Sequence, residues 1–491
     1  MPDQLPSLRT RMMRIKPLAR ILADAEHPDH RLNRTLTVTD LIALGVGAII
    51  GTGIFVLIGT AIVGDAVRLG AGPGITLSFL LSGFACVLAA LCYAEFAAMI
   101  PVSGSAYTYS YATLGEFVAW ITGWNLILEY GVASVAVAIG WSGYFNKLLQ
   151  IAGIHLPYWA SHAPGGPDGG IINLPAMIIV LLCTWVLVVG IKTSARVTTI
   201  VVIVKLAVIG FFIAVGSDQV DTANWSPYMP NGFAGVGAAA AIVFFAYIGF
   251  DAVSTTAEEA RNPQRDIPIG IIASLGICTL LYLAVAAILT GMIPWQAIDV
   301  NAPIADALGQ LGFRWGAAIV SVGAVAGITS VLVVLLMGQV RIFFAMSRDG
   351  LLGNWLAGVH PKYRTPHKAT WVTGTLVALL AGVVQLGEAA DMTNIGTLFA
   401  FSIVSIGVIV LRYAKPDEHR PFRTPFMPWL PILSALACFG LMTFLPLVTW
   451  IRFIAWSAIG IVVYFVYSMR RSHLNRIPQQ AAQISGSADG G

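Results

Sequence analysis

Residues 45–59 read GVGAIIGTGIFVLIG, an apolar stretch long enough to enter a membrane but interrupted at Gly51-Thr52-Gly53. In lipid every backbone N–H and C=O needs a partner, so non-helical backbone survives only against other protein or along a cavity. A span that unwinds at its centre therefore presents unpaired peptide groups to something polar. The interruption predicts a site at mid-depth with the backbone itself as part of the binding surface.

Composition supports a membrane setting. Of 491 residues, 57% are hydrophobic and 11% charged, against roughly 25% charged in an average soluble domain. Apolar runs of about 20 residues, enough to cross a bilayer core, recur twelve times. They fall near 38–63, 75–100, 117–146, 172–191, 197–216, 234–257, 268–292, 315–346, 370–387, 393–413, 427–447 and 449–469. Of the 28 Lys and Arg, 23 fall in segments that share a side with the N-terminus, four fall in the opposite loops, and Lys205 lies inside a run. That bias predicts cytoplasmic N- and C-termini. The net charge of +4 calls for no nucleic acid. The five cysteines sit in apolar runs without metal-ligand spacing and read as small hydrophobes. The basic N-terminus lacks the short apolar core and small-residue cleavage site of a signal peptide. The QQAAQISGSADGG end reads as disordered.

A second interruption falls in residues 241–257, AIVFFAYIGFDAVSTTA, at Gly249-Phe250-Asp251. Alone, it reads equally well as a kink at a tolerated glycine. Its position matters more: the first break is in span one and the second in span six. Broken helices at matching places in two halves point to inverted repeats with a midplane site. Five spans is an odd number, so the second half runs through the membrane upside down. The expected organisation is an all-α polytopic membrane protein with a cytoplasmic segment at 1–37, repeats at 38–216 and 217–414, two appended spans at 415–470 and a tail at 471–491.

The half-helix beginning near Gly51-Thr52-Gly53 offers free N–H groups and a positive dipole end, suited to a carboxylate. The half-helix ending near Phe245-Ala246 offers carbonyls and a negative end, suited to an ammonium. Side by side they fit a zwitterion such as an α-amino acid. Lys205, in TTIVVIVKLAVIGFFIAV, lies nine residues past Arg196, about 13 Å along a helix. A charge at that depth is costly and rarely accidental; snorkelling to the interface is the competing reading. Such a lysine can lose and regain a proton during a transport cycle. Glu129, in GWNLILEYGVASVAVAIGWSGY, reads either as a pocket or gate residue or as a structural hydrogen-bond partner. Glu95 and Asp251 read as structural or gating. The charges of TTAEEARNPQRDIPI (255–269) form a solvated loop or a cytoplasmic gate, and PVSGSAYTYSYATLGE (101–116) reads as an amphipathic interfacial helix.

These stretches, with YAEFAAMIPVSGSAYTYSYATLGE, FFAYIGFDAVSTTAEEARNPQRDIPIGI and MGQVRIFFAMSRDGLL, resemble the amino acid–polyamine–organocation (APC) superfamily. Within it they are similar to bacterial members of the cationic amino acid transporter family, over most of residues 35–415. The resemblance implies a LeuT-like fold of ten core helices. It implies a substrate carboxylate at the backbone of Ile49, Gly51, Thr52 and Gly53, and an amino group at carbonyls near Phe245, Ala246 and Ile248. A span-five lysine matching Lys205 would replace a sodium site, and a glutamate matching Glu129 would lie near the pocket. Animal members carry about two more spans than the twelve read here, so the family name does not fix the cargo.

The expected function is a proton-coupled amino-acid importer in the bacterial inner membrane, working by alternating access with proton and amino acid as partners. An amino-acid exchanger, or a carrier of cationic amino acids or polyamines, is the alternative. No motif calls for a cofactor or metal. No HExxH, paired GxSxG and His, or facing aspartate pair suggests an enzyme. Paired breaks occlude a site rather than line a channel, and a sensor without flux stays open. The sequence also leaves open a small accessory membrane subunit.

Overall fold

The computed structural model describes residues 12–17, 35–100, 105–165, 169–190, 195–363 and 365–475. The expected N-terminal segment and disordered tail lie largely outside them. Eight described helices are long and apolar enough to cross a membrane, or nine with the bent pair Val38–Ile49 and Gly53–Val63 taken as one span. Spans two and three are Gly72–Met99 and Glu116–Ile151. Span five is Ala195–Ser217. Spans six, seven and eight are Gly232–Ser254, Pro263–Met292 and Arg314–Arg348. Spans ten and twelve are Leu386–Ala414 and Leu447–Arg471. Shorter helices Leu174–Val189, His367–Val383 and Trp429–Thr443 occupy the remaining three expected positions. The molecule is an all-helical polytopic membrane protein; its only described sheet is the small hairpin of Gly64–Asp65 and Arg68–Leu69.

Local chemistry explains where span one starts. Thr37 caps it in a reciprocal box with Asp40: the Thr37 N–H donates to Asp40 Oδ2 at 2.9 Å and the Asp40 N–H to Thr37 Oγ1 at 3.4 Å. Leu36, just ahead, exchanges backbone hydrogen bonds with Glu259 and Arg261 beyond span six. The entry to span one is thus tied to the exit of span six.

Packing between the spans follows an exchange pattern. Span two packs on seven, three on eight and four on nine, each helix on its counterpart five spans away. Further contacts come in exchanged pairs: one with seven and six with two, five with eight and ten with three, five with seven and ten with two. This is the pattern that a two-fold relation between spans one to five and six to ten would give. Span eleven packs on ten and two, and span twelve on ten and three. Trp124 and Trp456 exchange hydrogen bonds, each indole donating to the other's carbonyl, and so pin span twelve to span three.

Polar ties mark two ends of the bundle. At one end Lys16 Nζ and Tyr107 Oη donate to Asp349 at 3.1 and 2.7 Å, and Ser472 Oγ donates to Glu116 at 2.6 Å. At the other, Arg68 spans Asp65 and Asp391, Lys147 meets Asp306, and Arg452 meets Glu388. The segment expected as an interfacial helix differs from that reading. Its described part, Ser105–Thr113, is buried at nearly every position. Tyr109 stacks on Phe96, and the helix lies against spans three and ten. Residues 101–104 lie outside the described set.

Glu95 takes the structural role. Its carboxylate, 1% exposed, accepts two hydrogen bonds from Arg412 at 2.8 Å each and one from the Thr424 N–H at 2.7 Å. Arg420 lies 3.4 Å away. Glu95→Gln leaves two guanidinium groups short of a counter-charge and is expected to cost about 2 kcal/mol or more. The measurement is thermal unfolding of the detergent-solubilised protein. Glu418→Gln, whose partner Lys415 is 3.9 Å away and partly exposed, changes stability by about 0.5 kcal/mol or less.

Candidate functional site

Both predicted interruptions are real breaks. The first helix of span one ends at Ile49; Ile50 is extended at φ −74°, ψ 101°. The chain rewinds from Gly53, its first turn wider than an α-helix, at 41° to the first half. In span six the helix Gly232–Val243 tightens over Phe244–Tyr247, and Ile248 is extended at ψ 135°. Gly249 then takes φ +117°, a conformation open mainly to glycine.

The two breaks lock against each other through glycine. A Cβ on Gly53 would sit 2.2 Å from Ala246 Cα, and one on Gly249 would sit 2.8 Å from the Ala48 carbonyl oxygen. Each break thus presses a bare backbone onto the other's helix. A larger residue at either position would force the two helices apart.

Unwinding leaves carbonyls without helical partners, and side chains from neighbouring spans supply the donors. Tyr282 of span seven reaches both breaks, its hydroxyl lying 3.0 Å from the Ile49 carbonyl and 2.8 Å from that of Ala246. Lys205 is fully buried, and its Nζ donates to the carbonyls of Gly47 at 2.6 Å and Ile50 at 2.9 Å. Its stem runs over Gly327, where a Cβ would lie 3.0 Å from Lys205 Cε. Asn394 of span ten donates to the carbonyls of Ala241 and Ile242. The head of Lys205 rests on span one rather than rising to the interface, so snorkelling does not describe it. Among the described residues no carboxylate pairs with it.

Six of the nine predicted residues gather in three places. Ile49 and Ala246 share the Tyr282 hydroxyl, and Gly53 packs on Ala246. Lys205 grips the end of the first half-helix. Ile248 and Glu129 line a small cavity with Ala48, Tyr130, Gly249, Asp251, Val331 and Leu335. That cavity holds about 10 Å³, close to the room of one water. Gly51 faces Val331 of span eight, and the Phe245 carbonyl accepts from the Ile248 N–H at 3.2 Å. Thr52 packs on Gly140, its hydroxyl buried with no hydrogen-bond partner, and Glu129 Oε2 is likewise buried without one. Buried polar atoms seldom lack partners; these two are among several described side-chain atoms here that do. Asp251, read from the sequence as structural or gating, lies at the second break and accepts from Tyr130 Oη at 2.9 Å.

The sequence reading missed Tyr282 and Tyr130. A single hydroxyl-bearing ring in the apolar run ICTLLYLAVAAIL is a faint signal for the first, since its partners lie over 30 residues away on other helices. The charges of 255–269 form no ion pair with one another among the described residues; Arg261 instead donates to the Thr35 carbonyl. The Glu258 side chain lies outside the described set. No group of His, Cys, Asp and Glu among the described residues is placed to hold a metal ion.

The family model described as amino acid permease matches residues 36–471. The chain is 52% identical over 458 residues to a branched-chain amino acid permease of Bacillus subtilis (strain 168), covering 93% of this chain and 97% of the relative. It is 49% identical over 465 residues to a methylthioribose transporter of the same organism, covering 95% and 99%. A vacuolar cationic amino acid transporter 2 of Arabidopsis thaliana is 43% identical over 405 residues, covering 81% of this chain and 62% of the relative.

Three variants test the geometry. Gly53→Ala is expected to abolish transport and lower the unfolding temperature, because Ala246 backbone must move. Gly210→Ala, with no heavy atom within 4 Å of the new Cβ, should be neutral or stabilising by up to about 1 kcal/mol. Tyr282→Phe removes the one hydroxyl hydrogen that two buried carbonyls share and should cost about 1–3 kcal/mol, read from the same unfolding curves.

Proposed function

This chain belongs to the amino acid permease family, and from that premise we propose that it imports neutral amino acids by proton symport with alternating access. The observation that carries this reading is the fully buried Lys205 ammonium on the Gly47 and Ile50 carbonyls. Charged donors make the stronger hydrogen bonds to such oxygens. Protonated, Lys205 binds the first half of span one to span five; as a neutral amine it holds that half-helix more weakly. A proton on Nζ thereby biases the position of a helix that also borders the cargo.

The cargo's carboxylate would meet the N–H groups of Ile49, Gly51, Thr52 and Gly53. Its ammonium would meet the carbonyls of Phe245, Ala246 and Ile248, with Glu129 beside them. As the two broken helices part, the substrate ammonium takes over from Tyr282 as donor to Ala246. Phe245, Ile248, Val331 and Leu335 give the site apolar walls, which favour an aliphatic side chain over a cationic one. The name of the branched-chain relative is consistent with that choice. Residues 38–216 and 217–414 act as the two repeats, a division supported by the exchanged packing. The Lys and Arg bias supports cytoplasmic termini, with the Lys16–Asp349–Tyr107 tie on the cytoplasmic side in a bacterial inner membrane.

Proteoliposomes without internal substrate, given an inward proton gradient, separate the readings. Symport predicts accumulation of leucine, isoleucine or valine that rises as external pH falls. An exchanger moves label only after preloading, and a carrier of cationic amino acids takes lysine or arginine instead. Uptake of methylthioribose but no amino acid would overturn the cargo. Lys205→Gln should keep binding yet lose accumulation and its pH dependence; undiminished uphill, pH-dependent uptake would remove Lys205 from the coupling role.

A further inference from the structure

Away from the broken helices, a groove of about 550 Å³ opens on the outside of the bundle. One wall is the first turns of span seven, with Gln264, Arg265, Pro268, Ile269 and Ile272; the other is Pro421 and Phe422, between spans ten and eleven. We propose that this groove binds an anionic phospholipid, its phosphate at Arg265 and one acyl chain along Ile269 and Ile272.

Four observations converge. Arg265, Ile269 and Ile272 are spaced four and three apart and share one helix face. All three are exposed, and the face continues outward through the exposed Gly276 and Leu280, so the groove runs without a step into the lipid-facing surface. A charged head at one end of an apolar track matches the build of a phospholipid. Among the described residues the Arg265 side chain makes no ion pair. The adjacent Asp266 is buried and turned away, its Oδ2 3.2 Å from the Asn262 N–H. The exposed Arg423, next in the chain to Phe422, adds a second cation without a described ion-pair partner.

The second wall is built rather than loose. Arg420, 6% exposed, donates to the carbonyls of Leu411, Lys415, Pro416 and Glu418, and Thr424 N–H donates to Glu95. Pro421 and Phe422 are therefore held between two anchored residues. Positive charge without an acid partner at the edge of a bilayer favours an anionic over a zwitterionic headgroup.

The test uses the full chain purified from mixed phosphatidylglycerol and phosphatidylcholine, with bound lipid counted by native mass spectrometry. The expected result is enrichment of phosphatidylglycerol, reduced about fivefold by Arg265→Gln, the change one arginine at an anionic surface is worth. Ile272→Trp, which fills the acyl track and leaves the cation, should reduce retention of phosphatidylglycerol as well. Equal retention of the two lipids by the unsubstituted chain, or unchanged retention in both variants, overturns the proposal. Displacement of the lipid by millimolar inorganic phosphate alone overturns it in favour of a free-anion site. A dimer mass that disappears in Ile272→Trp while lipid counts stay constant overturns it in favour of a second copy of the chain.

Discussion

Everything at the centre of this molecule depends on two stretches of bare backbone pressing on each other. Gly53 lies on Ala246, and Gly249 lies against Ala48, at distances no side chain would permit. Because each span stops being helical where it meets the other, peptide groups that lipid could not tolerate face protein instead. The contact is reciprocal, as the packing of the two halves is. It brings the polar interiors of spans one and six to the same depth.

The carbonyls freed by this contact are satisfied by borrowed donors. Lys205 comes from span five, Tyr282 from span seven and Asn394 from span ten. None of these residues belongs to the breaks they serve. Neighbouring helices thus satisfy the backbone of the broken ones. One Tyr282 hydroxyl carries a single hydrogen for two carbonyls, so one of the two always has acceptor capacity to spare. The unpaired Thr52 hydroxyl and Glu129 Oε2 add further capacity nearby. The centre encloses a cavity of about one water's room, with polar atoms left unpaired beside it.

Around this centre the charged residues divide between two ends, and the packing is arranged so that both ends are tied across the repeats. Arg68 and Asp391 join the loop after span one to the start of span ten, while Leu36 and Arg261 join the entry of span one to the exit of span six. Glu95, with Arg412 and Arg420, sits away from the two breaks and anchors the loop between spans ten and eleven.

Much of this was legible in the chain. Twelve apolar runs, the glycine-rich interruptions in spans one and six, and a lysine at mid-depth are local features, and hydropathy with helix rise is enough to read them. The family resemblance was likewise carried by contiguous stretches. What only the tertiary structure decided is which donor meets which carbonyl. Tyr282 is one aromatic residue in a greasy helix until span seven packs on span one. The tyrosine-rich segment 105–113 reads as interfacial until Phe96 and span ten cover it. Asp251 has no visible partner in the sequence until packing brings Tyr130 of span three to it. Periodicity along one helix records which residues dislike water; it does not record partners on other helices, because hydrogen bonds between spans are set by how the helices cross.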